Sequence, residues 1–295
     1  MSCPKNVRTT LPPELAELAN QNQRISGVSR LILPYRKVLK EFRKTRGKRP
    51  EEPRGLAESY LHDYIGGTLR IGALWTARAK NLKIGNIPQL WVGSTLEQTI
   101  GSCIASGCLQ LPEWAGGPGG AHTKECYAYR GMVYNAQKSI HRAAYRGKDY
   151  RLVTALQKAH WSAKYVRITA IGDPCIITPL EFDIMVIQIH NSGKRIVGFT
   201  AGWRSPNAQH MRKYLMASCT SLEEAMLARS MGWNPSLIWP GETAGQGVRM
   251  PDGSRALVCK AIWEKKTKNR LITCNQCGLC GEDNPGITII FFEHD

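Results

Sequence analysis

From Tyr165 onward the apolar positions alternate between two rhythms. Val166-Arg167-Ile168-Thr169-Ala170-Ile171 is a short β-rich run closed by Gly172-Asp173-Pro174. Thr178-Pro179-Leu180-Glu181 then opens a helix. The threonine oxygen accepts a backbone N–H, the proline fits the first helical position, and the glutamate completes a capping box. Asn191-Ser192-Gly193 predicts the end of that helix. A strand is expected over Arg195–Thr200, a helix from Ser205-Pro206, and a strand over 215–219. Ser221 and Glu224 form a second capping box, whose helix ends near Met231-Gly232, and strands over 236–239 and 256–260 complete the series.

Strand starts near 166, 195, 215, 236 and 256, with helices between most of them, specify parallel strands and right-handed crossovers. The predicted class is therefore α/β. Both a doubly wound sheet and a partial or complete TIM-like barrel satisfy it, and the barrel is favoured. In either, chemistry gathers at the carboxyl ends of the strands. Those ends carry Asp173, Cys175, Trp203, Arg204, Ser218, Cys219, Trp239 and Glu242.

The earlier chain is less regular. Thr68-Leu69-Arg70-Ile71-Gly72 alternates as a strand, and Gly116-Gly117-Pro118-Gly119-Gly120 is a loop. Helices are expected over 132–145 and 150–164, interrupted at Gly147. A helix follows Pro12-Pro13, and another is expected over 34–45. The expected division is a basic helical N-terminal extension (1–65), a barrel-like core (66–258) and a C-terminal cysteine segment packed on that core (259–295).

Charge and cysteine content add function to this outline. The 295 residues carry 40 Lys and Arg against 23 Asp and Glu, a net +17. Residues 1–55 hold 13 of those cations and 5 of the acids. The chain is long enough to bury its core without disulfides. No run reaches the length of a membrane span, and the first residues lack a secretory signal. The expected compartment is the cytoplasm or a particle assembled there, where thiols stay reduced.

Ten cysteines in such a compartment point to metal or chemistry rather than bridges. Cys274-Asn275-Gln276-Cys277-Gly278-Leu279-Cys280, with Cys259 fifteen positions upstream, supplies four thiolates. The C-x2-C-x2-C run plus one distant partner suits a [4Fe-4S] cluster. The alternative is tetrahedral zinc, which more often uses two C-x2-C pairs. Cys103, Cys108 and Cys126 would make a second site only with a fourth ligand such as His122 or Cys175.

Lys83-Ile84-Gly85-Asn86-Ile87-Pro88, Cys126-Tyr127-Ala128-Tyr129-Arg130-Gly131, Ile171-Gly172-Asp173, the cysteines at 259, 274, 277 and 280, and Phe291-Phe292-Glu293-His294 follow in that order. In this series the chain resembles the gene product 88 family of bacteriophage proteins, over 72–295. The resemblance implies a phage origin, a barrel-like α/β fold and an iron–sulfur site at the C-terminal cysteines. It places the protein in the cytoplasm of an infected bacterium or in association with the virion. Cys126-Tyr127-Ala128 is also similar to a fragment of radical S-adenosylmethionine proteins. No C-x3-C-x2-C occurs here, so the open-iron site that cleaves that cofactor is not evident.

With four cysteines closing the cluster, catalysis falls to side chains at the strand rim. The candidates are Asp173 after a strand, His190 near a helix end, and Ser205 as a hydroxyl nucleophile. A hydrolytic, ester-cleaving reaction on a small molecule is favoured over radical redox chemistry. G-x-S-x-G, the P-loop, H-E-x-x-H and G-x-G-x-x-G are all absent. Lys265, Lys266, Lys268 and Arg270, with Trp263 among them, are the candidate contacts for nucleic acid or another polyanion. A nucleic-acid-binding protein with a structural cluster or zinc site is thus a further alternative.

Overall fold

A computed structural model of the protein describes residues 58–64, 67–78, 83–93, 103, 131–239, 245–268 and 271–292. The expectations for residues 1–57 and for the glycine loop at 116–120 lie outside them.

The described strands are β1 (Glu58–Tyr64), β2 (Gly67–Thr76), β3 (Gln89–Val92), β4 (Tyr165–Ile171), β5 (Arg195–Thr200), β6 (Met216–Cys219), β7 (Asn234–Trp239), β8 (Gly247–Arg249), β9 (Arg255–Val258) and β10 (Thr288–Phe292). They form one ten-stranded sheet in the order β1-β2-β3-β4-β5-β6-β7-β10-β9-β8. Every pair from β3 through β7, β10 and β9 is parallel. The two margins, β1-β2-β3 and β9-β8, are antiparallel. The expected α/β class holds. β1 lies before Gly66, the expected start of the core, and pairs along its length with β2.

The helices are α1 (Gly131–Tyr145), α2 (Leu152–Gln157), α3 (Pro179–Asn191), α4 (Leu222–Ser230), α5 (Lys260–Lys268) and α6 (Cys274–Cys277). α3 starts as its sequence dictates: the Thr178 oxygen accepts from the Glu181 N–H, and Pro179 stands in the first turn. At α4 the Ser221 oxygen accepts from Glu224 N–H, whereas the Glu224 carboxylate turns to Thr220 and Arg204. The helix expected over 150–164 ends at Gln157. Residues beyond it turn back into β4, where Ser162 and Lys164 bond a distant side chain instead of continuing the helix.

Alternation along the parallel strands sorts two faces. One carries Val166, Ile168, Ile196, Ala217, Leu237, Ala256 and Ile290, which pack on Phe182, Met185 and Ile189 of α3 and Ala225 and Ala228 of α4. The other carries Val197, Phe199, Met216, Leu257, Ile289 and Phe291. β4 changes phase at Thr169, whose φ of 68° is costly for a β-branched residue. There its register against β3 shifts, and Ala170 and Ile171 join Leu74 and Trp91 under α1.

Candidate metal centre

The cysteine segment is the connection between β9 and β10, and it lies on the sheet face opposite α3 and α4. Cys259 follows β9 directly; its N–H donates to the Ile290 carbonyl at 2.8 Å, and its own carbonyl starts α5. Cys259 and Cys280 pack with Met216, Leu257, Ile289 and Phe291, while Cys274 packs with Ile84, Ile87, Ala163 and Val197.

Local sequence shapes the turn that holds the triplet. Thr273 and Gln276 form a reciprocal capping box at the start of α6. Gly278, with φ 65°, ends it in the left-handed conformation and donates to the Cys274 carbonyl at 3.0 Å. A Cβ at Gly278 would overlap the Tyr165 ring, so glycine is required by both backbone and space.

Distant segments then receive this turn. The N–H groups of Cys274 and Asn275 donate to the carbonyls of Lys83 (2.9 Å) and Ile84 (3.3 Å). Gly85 lets Thr273 approach to where a Cβ would stand only 3.0 Å from the threonine Cβ. The Asn275 side chain accepts from Lys164 N–H at 2.8 Å and donates to the Ser162 carbonyl at 3.0 Å. Gly281 bridges to Val197, and the Glu282 N–H donates to Ile196 at 3.2 Å. Lys83-Ile84-Gly85 is thus a ledge for the cysteine turn, and the leading ends of β4 and β5 form its floor.

The four thiols stand in one another's fields. Burial pushes the Cys280 thiol well above the usual thiol range, and Cys259, Cys274 and Cys277 reinforce this. Burial also raises Cys274, against the pull of Arg167 and Lys83. At Cys277, burial raises the thiol while a hydrogen bond from the Leu279 N–H and the charge of Lys260 favour its thiolate. All four are free thiols. Among the described residues, no three or more His, Cys, Asp or Glu side chains form a ready group for a metal ion. The donor chemistry nevertheless suits a thiolate-ligated centre: Cys259 and Cys280 share one cluster, the adjoining turn carries Cys274 and Cys277, and the charges of Arg167, Lys83 and Lys260 act on these thiols. The Arg167 Nε is also buried there without a hydrogen-bond partner.

The candidate catalytic residues do not converge in the same way. Asp173 is 4% exposed and caps the 3-10 turn Pro174–Ile176. It accepts from Cys175 N–H (2.9 Å), Thr200 Oγ1 (2.7 Å) and Ala201 N–H (2.6 Å), which ties the carboxyl end of β4 to that of β5. Burial raises its pKa in spite of these bonds. Ser205 caps the 3-10 helix Pro206–Lys213, its Oγ accepting from Asn207 N–H at 3.3 Å. His190 stands near the other end of β5. Its Nε2 meets Glu282 Oε1 at 2.9 Å, and that same oxygen accepts from Ile196 N–H. Ile196 and Thr200 are four residues apart, roughly 13 Å along a strand. His190 is therefore bound to the cysteine segment and not to Asp173 or Ser205.

Lys265, Lys266 and Lys268 fall on α5, but their side chains, like Arg270 and His294, lie outside the described residues, as do Cys108 and Cys126. Cys103 is half-buried. Sequence reasoning missed Lys83 and Arg167 as neighbours of the thiols, and Asn275 and Glu282 as the side chains that dock their segment. Only the capping box had a local signal, Thr273 three residues before Gln276.

No protein-family model, curated protein or solved structure matches the chain. Among the described residues no helix is long and apolar enough to cross a membrane.

Proposed function

We propose that this is an iron–sulfur protein in which Cys259, Cys274, Cys277 and Cys280 hold a [4Fe-4S] cluster against the parallel sheet. The observation that carries the reading is the packing of Cys280 with Cys259 in one apolar cluster, next to the capped turn that carries Cys274 and Cys277. Spacing favours iron–sulfur over zinc, because a C-x2-C-x2-C run with one remote cysteine is a cubane pattern. Bound there, the group would supply one-electron exchange. The chain's own part is to exclude water with Met216, Ile289 and Phe291, to fix the sulfurs through α6 and its ledge, and to offset their charge with Arg167, Lys83 and Lys260.

The sequential parallel order β3-β4-β5-β6-β7 supports a TIM-like barrel wall over those strands, beyond which the sheet continues as β10-β9-β8. The reducing cytoplasm of an infected bacterium is the compartment this reading assigns. Ester cleavage is not part of it, because Asp173 and Ser205 serve as caps and His190 is engaged by Glu282.

Anaerobic purification followed by iron, sulfide and zinc analysis tests the proposal. About four irons and four sulfides per chain are expected, falling sharply in Cys277→Ala and Cys280→Ala. A colourless, oxygen-free preparation holding only zinc would overturn it.

A further inference from the structure

Arg167 occupies a position that charge compensation alone does not require. Along β4 it shares a face with Tyr165, two residues earlier. Across the ladder it pairs with Val197 of β5. Both flanking residues touch the cysteine segment: Tyr165 lies against Gly278, and Val197 bridges to Gly281. Arg167 therefore projects from the strand floor between the contacts that bracket Leu279 and Cys280. Its charge reaches the thiols of Cys274 and Cys280.

A guanidinium Nε shut away from water without a partner is a costly arrangement. In a folded protein it calls for an acceptor. Among the described residues none of the acids is paired with Arg167; the ion pairs near the segment belong to His190 and Arg195, with Glu282 and Asp283. The thiols of Cys274 and Cys280, on which the Arg167 charge acts, offer sulfur as an acceptor on this face. A cluster with four thiolates carries net negative charge, which grows by one on reduction, so a fixed cation and an N–H donor at its edge favour the reduced state.

We infer that Arg167 is the cluster's tuning residue, donating through its guanidinium to a cluster sulfur and holding the midpoint potential up, which makes the centre an electron carrier and not only a structural pin. The inference rests on the iron–sulfur reading above. Its test keeps the two separable. Wild type, Arg167→Lys and Arg167→Gln are reconstituted anaerobically with iron and sulfide, assayed for both elements, and titrated with dithionite under spectroscopic control.

In Arg167→Gln the ratio of reduced to oxidised cluster at a fixed potential should drop at least tenfold, about 59 mV for one electron. In Arg167→Lys, which keeps charge but loses the planar donor, it should drop by a smaller factor, about threefold. Equal midpoints in three iron-loaded proteins would overturn the role of Arg167 and leave the cluster standing. Failure of all three, wild type included, to take up iron and sulfide would remove the cluster and this inference with it. If only Arg167→Gln fails to load, Arg167→Lys decides: an unshifted midpoint there overturns the inference, and a lowered one sustains it.

Discussion

The Tyr165 ring lies against Gly278, filling the space that a Cβ at the glycine would need. One residue pair thereby couples the first residue of β4 to the turn that presents Cys277 and Cys280. The contact is possible because Gly278 has no side chain and because its φ of 65° suits glycine.

Gly278→Ala should therefore destabilise the segment from two causes. The left-handed backbone costs a non-glycine residue roughly 1 to 2 kcal/mol, and displacing Tyr165 adds to it. A lowered denaturant midpoint and reduced iron retention are the expected results. An unchanged midpoint would show that the turn and the tyrosine separate freely.

Asp173 offers a pH test. Burial raises its pKa above the ordinary 3.8, so the folded chain holds this proton more tightly than the unfolded chain. The associated stabilisation is complete below that ordinary value and is lost as pH rises through the raised native one. Asp173→Asn should cost about 1 to 3 kcal/mol, since an amide N–H2 faces donors that need an acceptor. It should also remove this slope, so that the wild type's advantage shrinks as pH rises from the ordinary value of 3.8 through the raised native one. Unfolding free energies measured across that interval check both points; a constant difference would refute the assignment.

Cys219 should be chemically silent in the native protein. Burial, with a smaller contribution from Glu224, pushes its thiol up to about 12. Reaction requires the thiolate. At about pH 8 iodoacetamide should leave Cys219 unmodified until denaturant is added, as peptide mass analysis would show. Modification at the rate of an exposed thiol would contradict the burial.

The strand–helix series was legible because its signals are local. Expected starts near 166, 195, 215, 236 and 256 lie within two residues of β4, β5, β6, β7 and β9. Thr178, Pro179 and Ser221 cap where their side chains dictate. The four thiols were legible as a spacing. Their surroundings were not, since Lys83 and Arg167 reach them through strand pairing and segment docking over long chain separations. His190 shows the same limit: near a helix end it reads as a catalytic candidate, yet its bond is to Glu282, 92 residues away. The shortened α2 reflects the same competition, with Asn275 bonding Ser162 and Lys164 where a helix would have continued.

β10 is inserted between β7 and β9, both made earlier in the chain. While a ribosome is still adding the residues between Trp239 and Thr288, β7 presents an unpaired border and the β8–β9 hairpin has nothing to lean on. At ordinary elongation speeds that interval lasts roughly 2 to 10 s. The cysteine-bearing loop is closed by the same late event, so docking of its four thiols and sealing of the sheet become a single step.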